Sequence, residues 1–384
     1  MAAPPGPFVT TSTRTFDVVI IGAGIIGLTI ARQFLLGSEL SVAVVDKAAP
    51  CSGATGAGSL TVGRTREESV TLEKKVNRLR EAGVRAEYLS SHDLRLKEPA
   101  LDVGEDGGAA LLPDDSQLDA QRTVAFILKG NREFVSKGRY AEFFHDPVTG
   151  LLRSNDHGKV EAVQTSKNTL YCKKGVIVAA GCWTGSLMHD LLRGSDIALD
   201  LPVKPRKGHL LVLENFSPFS LNHGLMEAGY LDHLPKTADL QNYASGMADR
   251  EQNLSVSMTA TMDVVGNLLL GSSRQFAGFG TDMDESIVNH IWTRAGEFFP
   301  KLKQLSLQDF TKDRHVRVGL RPYVPDGKPL IGPIPALMNV FIAAGHEGSG
   351  LSMAMGTAEM VSDMVLGRPG IVDSTAFAVQ GRVS

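Results

Sequence analysis

Gly22, Gly24 and Gly27 form a G-x-G-x-x-G run whose residue types suit a phosphate cradle. Gly22 permits a tight turn, Gly24 lets a pyrophosphate approach the backbone, and Gly27 allows a helix to pack closely on a strand. The amides that open the following helix, around Ile25 and Ile26, offer the positive end of the helix dipole to the phosphates. Asp46 lies nineteen residues beyond Gly27, at the end of the next apolar run. A carboxylate there accepts hydrogen bonds from both ribose hydroxyls and repels a 2′-phosphate, which disfavours NADP. Lys47 adjoins it as a further candidate. NAD and FAD both use such a turn, so the motif by itself leaves the two open.

More distant groups extend the constellation. Ser52 and Thr55 supply hydroxyls just after the second apolar run. Ala180 and Gly181 end another apolar run in small residues, where a second backbone approach is available, followed by Cys182 and Trp183. Near the end stand Arg321-Pro322, then Pro325-Asp326-Gly327, then Gly345-His346-Glu347-Gly348-Ser349-Gly350. A guanidinium such as Arg321 binds carboxylates bidentately through its planar fork. His346 reads either as a structural hydrogen-bonding residue or as a catalytic base.

The elements that must position these groups alternate between strand and helix. Residues 16–21 are a continuous β-branched run, as in a strand buried on both faces of a parallel sheet. A glycine turn, a helix over 25–36 and a second buried strand over 41–45 complete a βαβ unit. The pattern predicts helices over 71–82, ended by Gly83, and over 119–134. Short strands with turn signals fill 140–178. Alternating segments at 209–214, 255–261 and 267–272 suit an antiparallel sheet with one covered face. Residues 282–299 form a helix with Ile287, Ile291, Ala295 and Phe298 on one stripe, stopped at Pro300. A strand over 340–344 and a helix over 351–366 close the chain. The doubly wound material thus lies at the beginning, middle and end, with antiparallel material between.

Composition narrows the function classes. The chain has 384 residues, with 39 Lys+Arg against 42 Asp+Glu, a net charge of −3 that lacks the basic surplus of a nucleic-acid binder. No apolar run reaches the ~20 residues of a transmembrane helix. The three cysteines, Cys51, Cys172 and Cys182, show no metal-ligand spacing and read as reduced thiols of an intracellular compartment. Residues 1–15 read as a disordered Pro-rich tail or the remnant of an organelle-targeting segment. The location expected is cytoplasmic or chloroplast.

The fingerprint at 22–27, the A-A-G-C-W strand end and the R-P…P-D-G-x-P-x-I-G…A-A-G-H-E-G-x-G tail resemble the D-amino-acid oxidase superfamily of FAD-dependent oxidoreductases, in a plant-type form. The resemblance runs from Phe16 to about Gly367. It implies an α/β fold: a discontinuous Rossmann-like FAD-binding domain (16–58, 117–185 and 315–370) and an antiparallel-sheet α+β substrate domain (59–116 and 186–314). It further implies non-covalent FAD. Gly22, Gly24 and Gly27 would hold the pyrophosphate and Asp46 the ribose. Ser52 and Thr55 match the phosphate-side loop, Val148 the adenine contact, and Ala180 and Gly181 the second backbone approach. The loop from Gly345 through Glu347, Gly348 and Ser349 to Gly350 would lie beside the flavin.

Arg321 matches the residue that grips a substrate carboxylate. The implied reaction is hydride removal from a small amine or amino acid, with an unidentified electron acceptor; the H-E-G-x-G form favours a dehydrogenase over an oxidase. Two alternatives accompany it, a 2-hydroxy-acid dehydrogenase and an inactive flavoprotein-fold variant. The last arises because Gly58 runs straight into Ser59-Leu60-Thr61-Val62-Gly63, where the family pattern has a few dozen residues including a helix.

Overall fold

The computed structural model describes residues 12–48, 60–115, 118–154, 158–230, 254–335 and 337–382. The chain divides into two units: Met1–Thr55 with Ala120–Pro205 and Arg321–Ser384, and Gly56–Asp119 with Arg206–Leu320.

The first unit is built on β1 (Ser12–Ile21), β2 (Val42–Val45), β6 (Tyr140–Phe143), β9 (Asn168–Val178), β15 (Leu330–Pro333) and β16 (Val340–Ala344), in the order β15-β16-β9-β1-β2-β6. Neighbours from β16 to β6 run parallel, and β15 closes one edge antiparallel. Alternation along β1 sends Val19 and Ile21 to one hydrophobic core and Val18 and Ile20 to the other. Both faces are therefore covered, which is why the strand reads as unbroken apolar sequence. Helices α1 (Ile25–Gly37) and α4 (Ala120–Arg132) share one of these cores. The meander of β7 (Val148–Arg153) and β8 (Val160–Thr165) attaches to β9.

The second unit holds a sheet in the order β14-β10-β13-β12-β11-β3-β5-β4. Its strands are β3 (Leu60–Gly63), β4 (Glu87–Ser90), β5 (Gly108–Leu111), β10 (Lys204–Leu213), β11 (Leu225–Glu227), β12 (Ser255–Met262), β13 (Leu268–Arg274) and β14 (Arg314–Tyr323). The expected antiparallel pairing holds among β10, β13, β12 and β11, but β3 joins β11 in parallel, so the sheet is mixed. Ile287, Ile291, Ala295 and Phe298 all pack on its core, as the stripe predicted.

Three expectations are corrected. Ser12 to Thr15 do not belong to a tail, because they extend β1 in register with Asn168 to Tyr171. Residues 186–205 lie in the first unit rather than with the substrate domain. Helix α5 (Thr184–Leu192) carries Met188 and Leu192 into the same core as Val176, and Leu201 and Val203 join them. Each such burial is worth roughly 1.5–3 kcal/mol, which decides the membership of that segment. Helix α2 (Arg66–Glu81) begins five residues before the expected start, at a capping box in which Thr65 and Glu68 each bind the other's backbone amide. The polar first turn hid this start from a reading based on apolar periodicity.

Candidate functional site

The glycine turn sits where three parallel strands end side by side. The Gly22 amide donates to the Val45 carbonyl and the Ala179 amide to the Ile21 carbonyl, each at 2.8 Å, so the ends of β2, β1 and β9 are stitched together. Gly22 has φ +117°, and a Cβ there would lie 2.3 Å from the Ala179 oxygen. A Cβ on Gly27 would lie 2.0 Å from the Gly22 oxygen. These two glycines are required by the protein itself. Gly24 differs: it is exposed and, among the described residues, nothing lies within 4 Å of an added Cβ. The room beside its backbone is therefore of the kind a ligand would use. Gly24 also serves as the N-cap of α1 with no side-chain cap bond, leaving the first amides of that helix to an external acceptor.

Asp46 follows β2 and its carboxylate is held on both oxygens. Oδ2 accepts from the Ala23 amide and Oδ1 from the Ala48 amide, both at 2.7 Å. The acid thus braces the glycine turn while keeping lone pairs for a ribose. Lys47 sets its Nζ 4.0 Å from the centre of the Trp183 ring. Beyond β9, Gly181 has φ +57° and opens a 3₁₀ turn, Gly181–Trp183, closed by Thr184 Oγ1 donating to the Gly181 carbonyl at 2.8 Å. Ala180 is half-buried at the same strand end. Val148 is half-buried and pairs with Thr165 across the β7–β8 hairpin. Ser52 and Thr55 lie outside the described residues.

The C-terminal glycine loop closes against the same helix. Gly345 has φ +84°, and a Cβ there would meet Val324 Cγ2 at 2.5 Å. His346 is buried, with Nε2 2.9 Å from the hydroxyl of Thr357 on α8 (Gly350–Leu366); Gly350, which opens α8, would place a Cβ 3.7 Å from Ile25 Cγ2. Burial lowers the imidazole pKa to about 4, so His346 is neutral near pH 7. Glu347 takes a left-handed φ of 44°, and Gly348 and Ser349 are exposed. The first turns of α1 and α8 therefore lie together, and both direct backbone amides to the same end of the unit.

Arg321 lies half-buried on β14, among interacting groups. Cys172 and Cys182 are buried, and burial raises their thiols to about 11 and about 12, which suits inert core residues. Among the described residues no cluster of three or more His, Cys, Asp or Glu could hold a metal ion. A cavity of about 1170 Å³ in the second unit, lined by Arg80, Lys97, Leu111 and His223 among others, includes none of the predicted site residues. Two contacts escaped the sequence reading, the Ala23 amide on Asp46 and Thr357 beside His346, and neither residue type left a signal.

The family model described as FAD dependent oxidoreductase (DAO) matches residues 17–59 and 57–364. The chain belongs to this FAD-dependent family. The two matched stretches meet at 57–59, where the family pattern was expected to continue for a few dozen residues. Among relatives, the chain is 25% identical over 239 residues to the glycine oxidase of Pseudomonas putida, covering 62% of this chain and 53% of that protein. It is 24% identical over 330 residues to the D-amino acid dehydrogenase of Cereibacter sphaeroides, covering 85% of this chain and 65% of that one. The chain thus spans between about half and two thirds of these relatives' length. The fold matches the crystal structure of glycine oxidase from Geobacillus kaustophilus with a TM-score of 0.76 at 19% identity, over 97% of this chain and 100% of that one. The DAO chain is accordingly an α/β protein with a Rossmann-like domain, and its cofactor is FAD. The open backbone at Gly24, the braced carboxylate of Asp46 and the paired helix N-termini fit that group. No helix of the described residues is long and apolar enough to cross a membrane.

Proposed function

We infer that this chain oxidises a small amine or amino acid at its CH–NH bond, with Arg321 holding the substrate carboxylate. The observation that carries the reading is the glycine turn itself, with Gly24 open and Asp46 braced on Ala23 in a DAO-family chain. Relatives named for glycine oxidase and D-amino acid dehydrogenase activity support the amino-acid class. FAD, when bound, accepts the hydride from the carbon that bears the amine. The amine is the neutral form, its N–H proton leaves to water, and the imine takes up water to give the oxo product and ammonia. Gly22, Gly24 and Gly27 would hold the pyrophosphate, with the amides near Ile25 and Ile26; Asp46 and Lys47 would face the ribose. Val148, Ala180 and Gly181 would line the adenosine side, and the loop from Gly345 through Glu347, Gly348 and Ser349 to Gly350 the flavin side. Ser52 and Thr55 are assigned to the phosphate-side loop.

His346 is best read as a positioning residue. A buried neutral imidazole bound to Thr357 suits a structural role, and hydride removal from a neutral amine needs orientation more than a base. The H-E-G-x-G form of the loop favours an acceptor other than dioxygen. A second reading follows from the break in the family match at 57–59: a chain that keeps the fold and holds FAD poorly or not at all. Anaerobic addition of an amino-acid panel to the purified flavoprotein tests both. Bleaching of the visible flavin band by one amino acid, with Arg321→Ala raising the half-saturating concentration at least about tenfold, supports the first. Colourless protein that takes up no added FAD selects the second. Bleaching by 2-hydroxy acids alone would replace the amine substrate.

A further inference from the structure

We propose that Lys47 and Trp183 form a strap across the glycine turn that retains the dinucleotide. Strand order carries the argument. β1 lies between β2 and β9, and the turn at Gly22 and Gly24 emerges from β1. Lys47 follows the end of β2 on one side, and Trp183 follows the end of β9 on the other. Strands are ~4.8 Å apart, so the two strand ends that carry the pair lie about 10 Å from each other, on either side of β1. There the ammonium stands 4.0 Å from the ring centre, within the reach of a cation–π contact.

Each partner is anchored to a group of the cofactor site. Lys47 is held next to Asp46, whose carboxylate grips the Ala23 amide inside the turn. Trp183 closes the 3₁₀ turn by donating its own amide to the Ala180 carbonyl at 3.1 Å. The dinucleotide enters at the carboxyl ends of the strands, the place where open α/β sheets bind such ligands. A contact between the two outer strand ends therefore crosses the path of departure. Lys47 is exposed and its stem is flexible, so the ammonium can leave the ring during exchange and return afterwards. The strap acts on release of the cofactor, not on the chemistry of the substrate.

The inference rests on the FAD reading of this site, and the test separates the two. Protein loaded with FAD is diluted, and release is followed by the return of free-flavin fluorescence. Lys47→Met, which keeps the length of the stem, and Trp183→Leu should each release FAD about tenfold faster than the parent chain. The double variant should be no faster than the faster single variant, because one shared contact is lost. Trp183→Phe, which keeps an aromatic face, should recover part of the retention. The thermal midpoint of the Lys47→Met apoprotein should stay at the parent value, which distinguishes loss of the strap from loss of fold. Release from Lys47→Met within about twofold of the parent, or effects of the two singles that multiply in the double variant, would overturn the strap while leaving the FAD site standing. A parent chain that takes up no FAD would overturn both together.

Discussion

At the scale of single residues, the three fingerprint glycines separate into two kinds. Gly22 and Gly27 are dictated by the protein's own backbone, since a methyl group at either would penetrate a carbonyl. Gly24 is dictated by nothing among the described residues. Gly24→Ala should therefore leave the apoprotein's thermal midpoint unchanged while reducing FAD uptake, measured by flavin absorbance per mole of protein. Gly27→Ala should lower the midpoint and reduce flavin content together, with a cost of several kcal/mol expected for an overlap that no rotamer can relieve. An equal loss of stability in both variants would mean that Gly24 also serves packing.

His346 makes a second residue-scale prediction, on pH. Its imidazole falls from an ordinary value of 6.5 to about 4 because burial penalises the charged form. Between those values the unfolded chain binds the proton and the folded chain does not. Its contribution to stability is therefore complete above about pH 6.5 and declines as the pH falls towards 4, by on the order of 3 kcal/mol. Denaturant midpoints from pH 4 to 7 should show this slope, and His346→Gln should flatten it. A slope that survives the substitution would have to come from other groups.

At the scale of elements, the strongest local signal is the capping box that starts α2. Thr65 accepts from the Glu68 amide, and Glu68 Oε2 accepts from the Thr65 amide at 3.1 Å. Thr65→Ala should cost about 1 kcal/mol in urea unfolding without altering flavin content, because α2 belongs to the second unit. This S/T-x-x-E pattern stands openly in the sequence. A reading that follows apolar residues passes over it, since the first turn of α2 is polar. The stripe on residues 282–299 behaved oppositely. Its apolar period was long enough to place Ile287, Ile291, Ala295 and Phe298 on the core, but both ends moved, the start to the N-cap Asp284 and the last helical residue to Gly296. Pro300 does not stop that helix, which ends four residues earlier; it takes the first position of a short new one, Pro300–Lys303.

At the scale of the whole molecule, the two units have separate hydrophobic cores. Binding of FAD to the folded state stabilises it by roughly 2.7 kcal/mol at a ligand concentration one hundred times the dissociation constant. Hydrogen exchange should register that gain at the ends of β1, β2 and β9 and in the first turns of α1 and α8. Protection confined to the second unit would contradict the placement of the cofactor.

Strand, glycine turn, helix and acid were legible in the sequence because each is a local demand. A strand buried on both faces must be apolar throughout, a positive φ favours glycine, and a carboxylate two strands into a βαβ unit has few other uses. Which distant segments share a core was not legible. Residues 186–205 look like any connecting segment until Leu201 and Val203 are seen packed with Val176 and Met188. Nor could the meeting of Lys47 with Trp183, or of His346 with Thr357, be foreseen. The first pair is 136 positions apart, and the strand order β9-β1-β2 brings it together. Sequence by itself determined the chemistry available at the turn and the family that uses it. Tertiary structure alone decided which side chains meet beside that turn, because side-chain neighbours across a sheet follow from strand order, and strand order is set by the burial of both faces at once.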